Sequence, residues 1–123
     1  MKNILDIFVT SYIKTALWSS IDGEGVPLDD SKYADSKLAP ATLRRIKMDC
    51  ARFIVRGRKL FGEYFTGPQV ARTAHNFWLT RNHHGAGFWD GDYPENVGEK
   101  LTDLAHSFGE CDLYIGDDGK IYC

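Results

Sequence analysis

The sequence lacks the features of a secreted disulfide framework or a membrane-spanning chain. It contains only three cysteines, Cys50, Cys111 and Cys123, and none of them form a C-x-x-C pair. An odd and scattered set of this kind predicts free thiols in a reducing cytosol. No apolar run approaches the roughly 20 residues that a transmembrane helix needs. Asp6 interrupts what would be the apolar stretch of a signal peptide, so we expect neither a targeting segment nor a membrane association.

The net charge is only −2, but the charged residues are divided into blocks. Residues 44–81 contain nine basic and two acidic residues, whereas residues 82–123 contain two basic and nine acidic residues. The simpler interpretation, which we favour, is that a basic helix lies near an acidic C-terminal layer. The alternative is that the basic face binds an acidic partner such as nucleic acid, with Arg52 and Arg56 as candidate contacts.

A chain of 123 residues is long enough to bury a core, and we interpret residues 1–123 as a single domain. Apolar residues at helical spacing predict a first helix over residues 3–18. Pro40 suits the start of a second helix, whose apolar stripe reaches Tyr64 and whose other positions are mostly arginine and lysine. The segment between these helices contains glycine and acidic residues and is typical of a surface loop.

Two further helices are indicated in the rest of the chain. Residues 66–69 have the form of a capping box with a proline at the first helical position, which predicts a short helix to about His75. Pro94 opens a last helix, and Gly109 ends it.

Strand formers and glycines in the remaining segments predict two hairpins. Asn76–Asn82 and Ala86–Asp90 are interpreted as strands joined by the turn at residues 83–85; the competing interpretation extends the helix through residue 82. Gly-Asp-Asp-Gly at residues 116–119 is a strong turn signal between two short strands. The predicted fold class is therefore α+β, with amphipathic helices packed on a small antiparallel sheet made of two hairpins.

The candidate functional residues concentrate in HNFWLTRNHHGAGFWDG, residues 75–91. One hypothesis is a polar pocket in which His84 is a general base and Arg81 an anion clamp, with Asn82, Asp90 and Asp92 beside them. The favoured hypothesis is a hairpin whose tip recognises a partner, held by pairing of Arg81 with Asp90. The aromatic candidates of this stretch are Trp78 and Trp89. Metal-binding spacings such as H-x-x-x-H do not occur, so we expect neither a metal nor a cofactor.

Several motifs together resemble a group of small bacteriophage and prophage proteins of unassigned function. They are TALWSS, PLDD, LAPATL, FWLTRNHHGAGFWD and GEKLTDLAHSFGECDLYIGDDGKIY, which are distributed between residues 15 and 122, and the likeness covers nearly the whole chain. The resemblance implies a viral accessory protein that acts in the host cytoplasm, with a role in host takeover or counter-defence. His83 departs from the pattern, which has glycine there, and the arginines of the second helix are not part of the likeness.

The leading hypothesis is a non-enzymatic protein that binds a host or viral macromolecule, with a host or phage protein as the expected partner. Small size, the missing catalytic spacings and the abundance of aromatic residues favour it. One alternative is nucleic-acid binding through the basic second helix. The other is a small hydrolase or ligand-binding protein with a site around Arg81, His84 and Asp90.

Overall fold

The computed structural model describes residues 3–21, 25, 27–28, 38–62, 65–66, 68–84, 87–88 and 93–123. Over these residues the chain forms four helices and one two-stranded antiparallel sheet, which is an α+β fold dominated by helix. None of the described helices is both long and apolar enough to cross a membrane. The elements are α1 (Ile4–Ser19), α2 (Pro40–Phe61), α3 (Pro68–Arg81), α4 (Glu95–His106), β1 (Tyr114–Ile115) and β2 (Ile121–Tyr122).

The first two helices begin and end where local chemistry favours it. The side chain of Asn3 caps α1 by accepting a hydrogen bond from the backbone N–H of Asp6 at 2.8 Å, which satisfies one of the free donors of the first turn. Pro40 occupies the first position of α2, where its missing N–H costs nothing. Gly62, with φ of 51°, ends α2. The helices predicted near residues 3–18 and from Pro40 are thus confirmed.

The strand predicted over Asn76–Asn82 is wrong, because α3 continues without a break to Arg81. Every residue from Asn76 to Asn82 is buried, and α3 contacts both α1 and α4. A helix that is covered on all sides has no polar face, so its sequence loses the 3.6-residue periodicity. The aromatic and β-branched residues of FWLT therefore indicate burial rather than a strand.

In the predicted turn at residues 83–85, His83 and His84 instead form the C-terminal cap of α3, and Gly85 lies outside the described residues. The N–H of His83 donates to the carbonyl of Thr80 at 3.2 Å, and the N–H of His84 donates to that of Leu79 at 2.9 Å. This is the Schellman pattern, and His83 takes its left-handed position with φ of 57°. Gly87 and Phe88 are not in a strand, and the rest of the predicted second strand lies outside the described residues.

The C-terminal hairpin forms as predicted, with Tyr114 opposite Tyr122 and Ile115 opposite Ile121. It is fixed to the start of α2, because the carbonyl of Ile121 accepts hydrogen bonds from the N–H of Ala39 and the hydroxyl of Thr42, both at 3.0 Å. The side chain of Ile121 is fully buried.

The hairpin also brings Cys111 and Cys123 together as a disulfide, with their Cα atoms 5.0 Å apart. The expectation that all three cysteines are free thiols is therefore wrong, and Cys50 is the free one, buried in the core. The sequence separation of 12 residues does not by itself indicate this pairing. The pairing depends on the hairpin, which brings the residue after β2 next to a residue before β1.

The core is built on phenylalanines from several helices. The rings of Phe53 in α2 and Phe77 in α3 stack at 4.1 Å, and Phe8 in α1 packs against both at about 6 Å. Phe88 and Phe108 extend this cluster to the residues on either side of α4. Aromatic pairs at these distances add favourable ring–ring interactions to the burial of apolar area.

Candidate binding surface

Arg81, proposed from the sequence as an anion clamp, lies in the interior of the fold with no exposed surface. Its guanidinium donates to the carboxylate of Asp49 in α2 at 3.0 Å and to the hydroxyl of Tyr12 in α1 at 3.1 Å. It also donates to the backbone carbonyls of Gly109 at 2.9 Å and Phe108 at 3.2 Å, just after α4. This side chain of α3 therefore joins α1 and α2 to the segment that follows α4. It pairs with Asp49, while the predicted partner Asp90 lies outside the described residues.

The surroundings of Arg81 hold two buried titratable groups in their neutral forms. Burial raises the pKa of the Tyr12 hydroxyl above its ordinary value, although the charge of Arg81 opposes this shift. Burial likewise raises the pKa of the Cys50 thiol, again against the opposing effect of Arg81. Desolvation disfavours the charged form of both groups. Neither the phenol nor the thiol is therefore prepared as a base or nucleophile, and the cluster is a structural one.

Two further candidates, Asn82 and Trp78, are also buried in the interior. The amide of Asn82 donates to the carbonyl of Trp78 at 3.0 Å, and its oxygen accepts from the N–H of Cys111 at 2.6 Å. This joins the end of α3 to the segment that leads to the hairpin. Trp78 is fully buried, and its indole Nε1 finds no hydrogen-bond partner among the described residues.

His84 is the member of the predicted polar pocket that reaches the surface. Its Nε2 lies 3.5 Å from a carboxylate oxygen of Asp112, and its ring packs against Trp78 at 4.5 Å. It shares no cleft with the buried guanidinium of Arg81. Trp89, Asp90 and Asp92 lie outside the described residues. Within the part of the chain that is described, no three histidine, cysteine or acidic side chains are grouped so as to hold a metal.

Arg52 and Arg56, the candidates on the second helix, are exposed on the outward face of α2. Arg56 is partly engaged, because its guanidinium lies 5.4 Å from the centre of the Phe108 ring. Among the described residues, no acidic side chain pairs with Arg52 or with the other outward bases of α2 except Arg45. These bases are Arg44, Lys47, Arg52, Arg56, Arg58 and Lys59.

An apolar groove lies beside this basic face, between α1 and α2. It has two adjoining parts, of about 590 and 450 Å³, and Leu5 lines both. We call it the α1/α2 groove. Its apolar lining consists of Ile4, Leu5, Val9, Ile13, Leu43, Ala51, Ile54, Val55 and Phe65.

Large apolar side chains are exposed at and next to the α1/α2 groove. Val55 is 72% exposed, Met48 is 53% exposed and Ile4 is 42% exposed. Scattered surface apolar residues are normal, but contiguous ones in a concave site indicate a place where another molecule binds. The groove is therefore the strongest candidate binding surface in the described structure.

The sequence contains an indication of this surface that lies outside the apolar periodicity of α2. Met48 and Val55 are seven residues apart and lie on one face of α2, within the run of arginines and lysines. They do not belong to the apolar stripe that packs on the core. An apolar row inside an otherwise basic face has no folding purpose, and it could have indicated the groove. The contribution of α1 could not have been inferred, because it depends on how α1 and α2 pack.

No family model, curated protein or solved structure matches this chain.

Proposed function

We propose that this protein acts non-enzymatically by binding a macromolecular partner through the outward face of α2 and the adjoining α1/α2 groove. The observation that carries the proposal is the exposed apolar side chain of Val55, which lines the groove among bases that have no acidic partner within the described structure. An apolar centre bordered by charged side chains is the arrangement found in protein interfaces, in which arginine is enriched.

The distribution of polar groups supports binding over hydrolysis. The hypothesis of a hydrolase site around Arg81, His84 and Asp90 uses Arg81 as an anion clamp, so it needs a guanidinium that a substrate can reach. The guanidinium of Arg81 is fully buried and is already hydrogen-bonded to Asp49, Tyr12 and two carbonyls. It is therefore committed to the fold rather than to a substrate.

The partner we favour is a host or phage protein. The resemblance to small bacteriophage proteins supports a viral accessory protein that acts in the host cytoplasm, in host takeover or counter-defence. In a reducing cytoplasm the Cys111–Cys123 bond would open. The anchoring of Ile121 to Ala39 and Thr42 gives the hairpin a second attachment that does not depend on the disulfide.

The test compares capture of partners from a bacterial lysate by the wild-type protein and by two variants. Val55→Glu places a charge in the groove, whereas Ile21→Glu makes the same change at a residue that is 62% exposed at the other end of α1. A protein captured by the wild type and by Ile21→Glu, but not by Val55→Glu, is the expected result. Capture that is equal for all three proteins, or absent for all three, would contradict the proposal.

Nucleic-acid binding is the second candidate function, and the unpaired bases of α2 are the observation that favours it. Such binding would depend steeply on salt, with a log–log slope near −0.9 for each phosphate neutralised on duplex DNA. Arg52→Ala would then weaken binding and make the slope less steep by about one phosphate. A mobility shift that is absent at low salt excludes this candidate.

A further inference from the structure

The edge of α2 beside the α1/α2 groove has an ordered pattern of charge. Residues at spacings of three and four share this edge, because 3.6 residues complete one helical turn. The edge is basic at both ends and apolar in the middle. In order, its residues are Arg44, Lys47, Met48, Ala51, Val55 and Arg58.

The opposite wall of the groove, formed by α1, carries a different charge. Its apolar residues Leu5, Val9 and Ile13 recur at helical spacing. Asp6 is the acidic residue among the described residues that line the groove, and Lys47 and Arg58 are the basic ones. Acidic groups of an occupant are therefore attracted to the α2 wall and repelled from the α1 wall.

The shape of the groove selects among the possible occupants. Arg44 and Arg58 are separated by 14 positions of one helix, which corresponds to roughly 21 Å at 1.5 Å per residue. An elongated apolar cleft between two helices accepts the apolar face of a third helix. A flat membrane surface does not reach side chains on the floor of a cleft. A DNA backbone would place phosphates, rather than apolar groups, against Leu5 and Ile54.

We propose that the α1/α2 groove binds an amphipathic helix of about 15 residues from a partner protein. Its apolar side enters the groove, and acidic residues near both of its ends meet Arg44 and Lys47 at one end and Arg58 at the other. This inference rests on the proposed function and adds the chemical class of the partner.

The test is a selection of displayed 16-residue peptides on the immobilised wild-type protein, after depletion on the Val55→Glu variant. We expect the enriched peptides to have apolar residues at positions i, i+4, i+7 and i+11, and acidic residues at both ends. Enrichment of basic peptides, or of sequences without helical periodicity, would overturn the inference.

The enriched consensus peptide is then measured by fluorescence anisotropy against four variants. Val55→Glu and Arg58→Glu are each expected to lower the affinity by about tenfold or more, since they bury a charge and reverse an attraction. Ile21→Glu and Lys100→Glu are the matched controls, being exposed residues outside the groove, and are expected to change it by less than about twofold. Equal losses for the groove variants and the controls would contradict the inference. Thermal unfolding of each variant establishes that it is folded.

A charge exchange gives a result that a purely apolar contact would not produce. The acidic residues at one end of the peptide are replaced by lysine, and a second peptide carries the same change at the other end. Each change is expected to weaken binding of the peptide to the wild-type protein about threefold to tenfold. Binding to Arg58→Glu should then recover for the peptide whose changed end meets Arg58. When neither end gives recovery, the assignment of the charged contacts is refuted.

Failure of this inference differs from failure of the proposed function. If no peptide is enriched but capture from the lysate still requires Val55, the partner binds the groove in another form and only the helix assignment is lost. A third outcome is that no peptide is enriched, but 20-base-pair DNA or phosphatidylserine vesicles bind in a way that depends on Val55. The occupant of the groove is then that ligand and not a helix. If capture from the lysate is independent of Val55 as well, both proposals fail.

Discussion

Arg81 places a positive charge among the helices with no access to water. Its charge is compensated by the carboxylate of Asp49, and its remaining N–H groups are used by Tyr12 and two backbone carbonyls. The planar guanidinium suits this task because its donors point in fixed and different directions. A lysine ammonium has three N–H donors, one fewer than the four hydrogen bonds that Arg81 makes.

Replacement of Arg81 by methionine should lower the free energy of unfolding by about 3–5 kcal/mol, because the part-buried carboxylate of Asp49 loses its hydrogen-bonded partner and keeps only the more distant Arg45, at 3.7 Å. Urea unfolding measures this loss. Arg52→Met is the matched control on the surface, where we expect a change within about 0.5 kcal/mol. The double variant Arg81→Met/Asp49→Leu should recover part of the loss. A single variant within about 1 kcal/mol of the wild type would contradict this role.

His83 occupies a backbone conformation that is more usual for glycine. Its φ is 57° at the C-terminal cap of α3. Residues with a Cβ atom resist this conformation, although histidine is among the more tolerant ones. The side chain stacks on His106 at 4.6 Å and lies 3.7 Å from a carboxylate oxygen of Glu110.

His83→Gly should therefore raise the free energy of unfolding by about 0.5–1 kcal/mol, since relief of the left-handed conformation outweighs a weak exposed ion pair. Thermal unfolding at neutral pH checks the change. His84→Gly removes the same side chain at a position without positive φ, and it should lower stability because the ring contact with Trp78 is lost. A fall in stability for His83→Gly would show that the histidine contacts dominate.

The elements differ in how far the sequence predicts them. The helices α1 and α2 were predictable because each has one exposed face, so their apolar residues repeat at helical spacing. In α3 the seven residues from Asn76 to Asn82 are all buried, and this pattern is compatible with a buried strand or a buried helix. The absence of any breaker between Pro68 and Asn82 was the better guide, since a continuous helix satisfies its backbone groups locally.

The candidate site was harder to predict than the fold for a similar reason. Trp78, Arg81 and Asn82 were candidates because aromatic and polar residues are concentrated in their part of the sequence. The structure shows that these side chains are concentrated there because this end of α3 is buried. The exposed anchor Val55 has an ordinary side chain, and only its place between Arg52 and Arg58 on a helix distinguishes it. The depth of the groove depends on α1, which is distant in sequence from α2.

The C-terminal hairpin has two attachments, the disulfide and the buried Ile121. Closure of a loop of 12 residues should stabilise the fold by roughly 3 kcal/mol through the entropy of the unfolded chain. We therefore expect a reducing agent to lower the urea midpoint without unfolding the protein in buffer. The variant Cys111→Ser/Cys123→Ser should have the urea midpoint of the reduced protein, and the reducing agent should not change that midpoint. Identical midpoints with and without reductant would show that the disulfide adds no stability.

Among the described residues, the basic and acidic blocks of the sequence are brought near each other, but most of the bases of α2 have no acidic partner there. Within the described structure α2 packs against α4, and Arg45 reaches the backbone carbonyl of Glu110 at 3.1 Å. The acidic side chain that pairs with Arg45 and Arg81 is Asp49 of α2 itself. Packing within the molecule therefore accounts for only part of the basic helix, and the bases along the groove edge have no acidic partner among the described residues.

The buried neutral groups around Arg81 give the whole molecule a dependence on alkaline pH. Burial raises the pKa of Tyr12 and Cys50 in the folded state above the ordinary values of 10.0 and 9.0. In the unfolded chain both groups ionise near those values, so the unfolded state binds fewer protons than the folded state. Their contribution to stability is complete below about pH 9 and is lost as the pH rises through the folded pKa values.

We expect the free energy of unfolding to fall above pH 9, at first through Cys50 and beyond pH 10 through Tyr12 as well. Each group contributes a slope of at most about 1.4 kcal/mol per pH unit. Urea unfolding between pH 7 and pH 11 measures the fall, and Cys50→Ala should remove the part that begins near pH 9. Tyr114→Phe is the control, because that ring is 57% exposed and its removal should leave the profile unchanged. A free energy of unfolding that does not change up to pH 11 would contradict this prediction. It would mean that water reaches Tyr12 and Cys50 in the folded state, and that the hydrogen bonds of Arg81 do not keep this part of the interior closed.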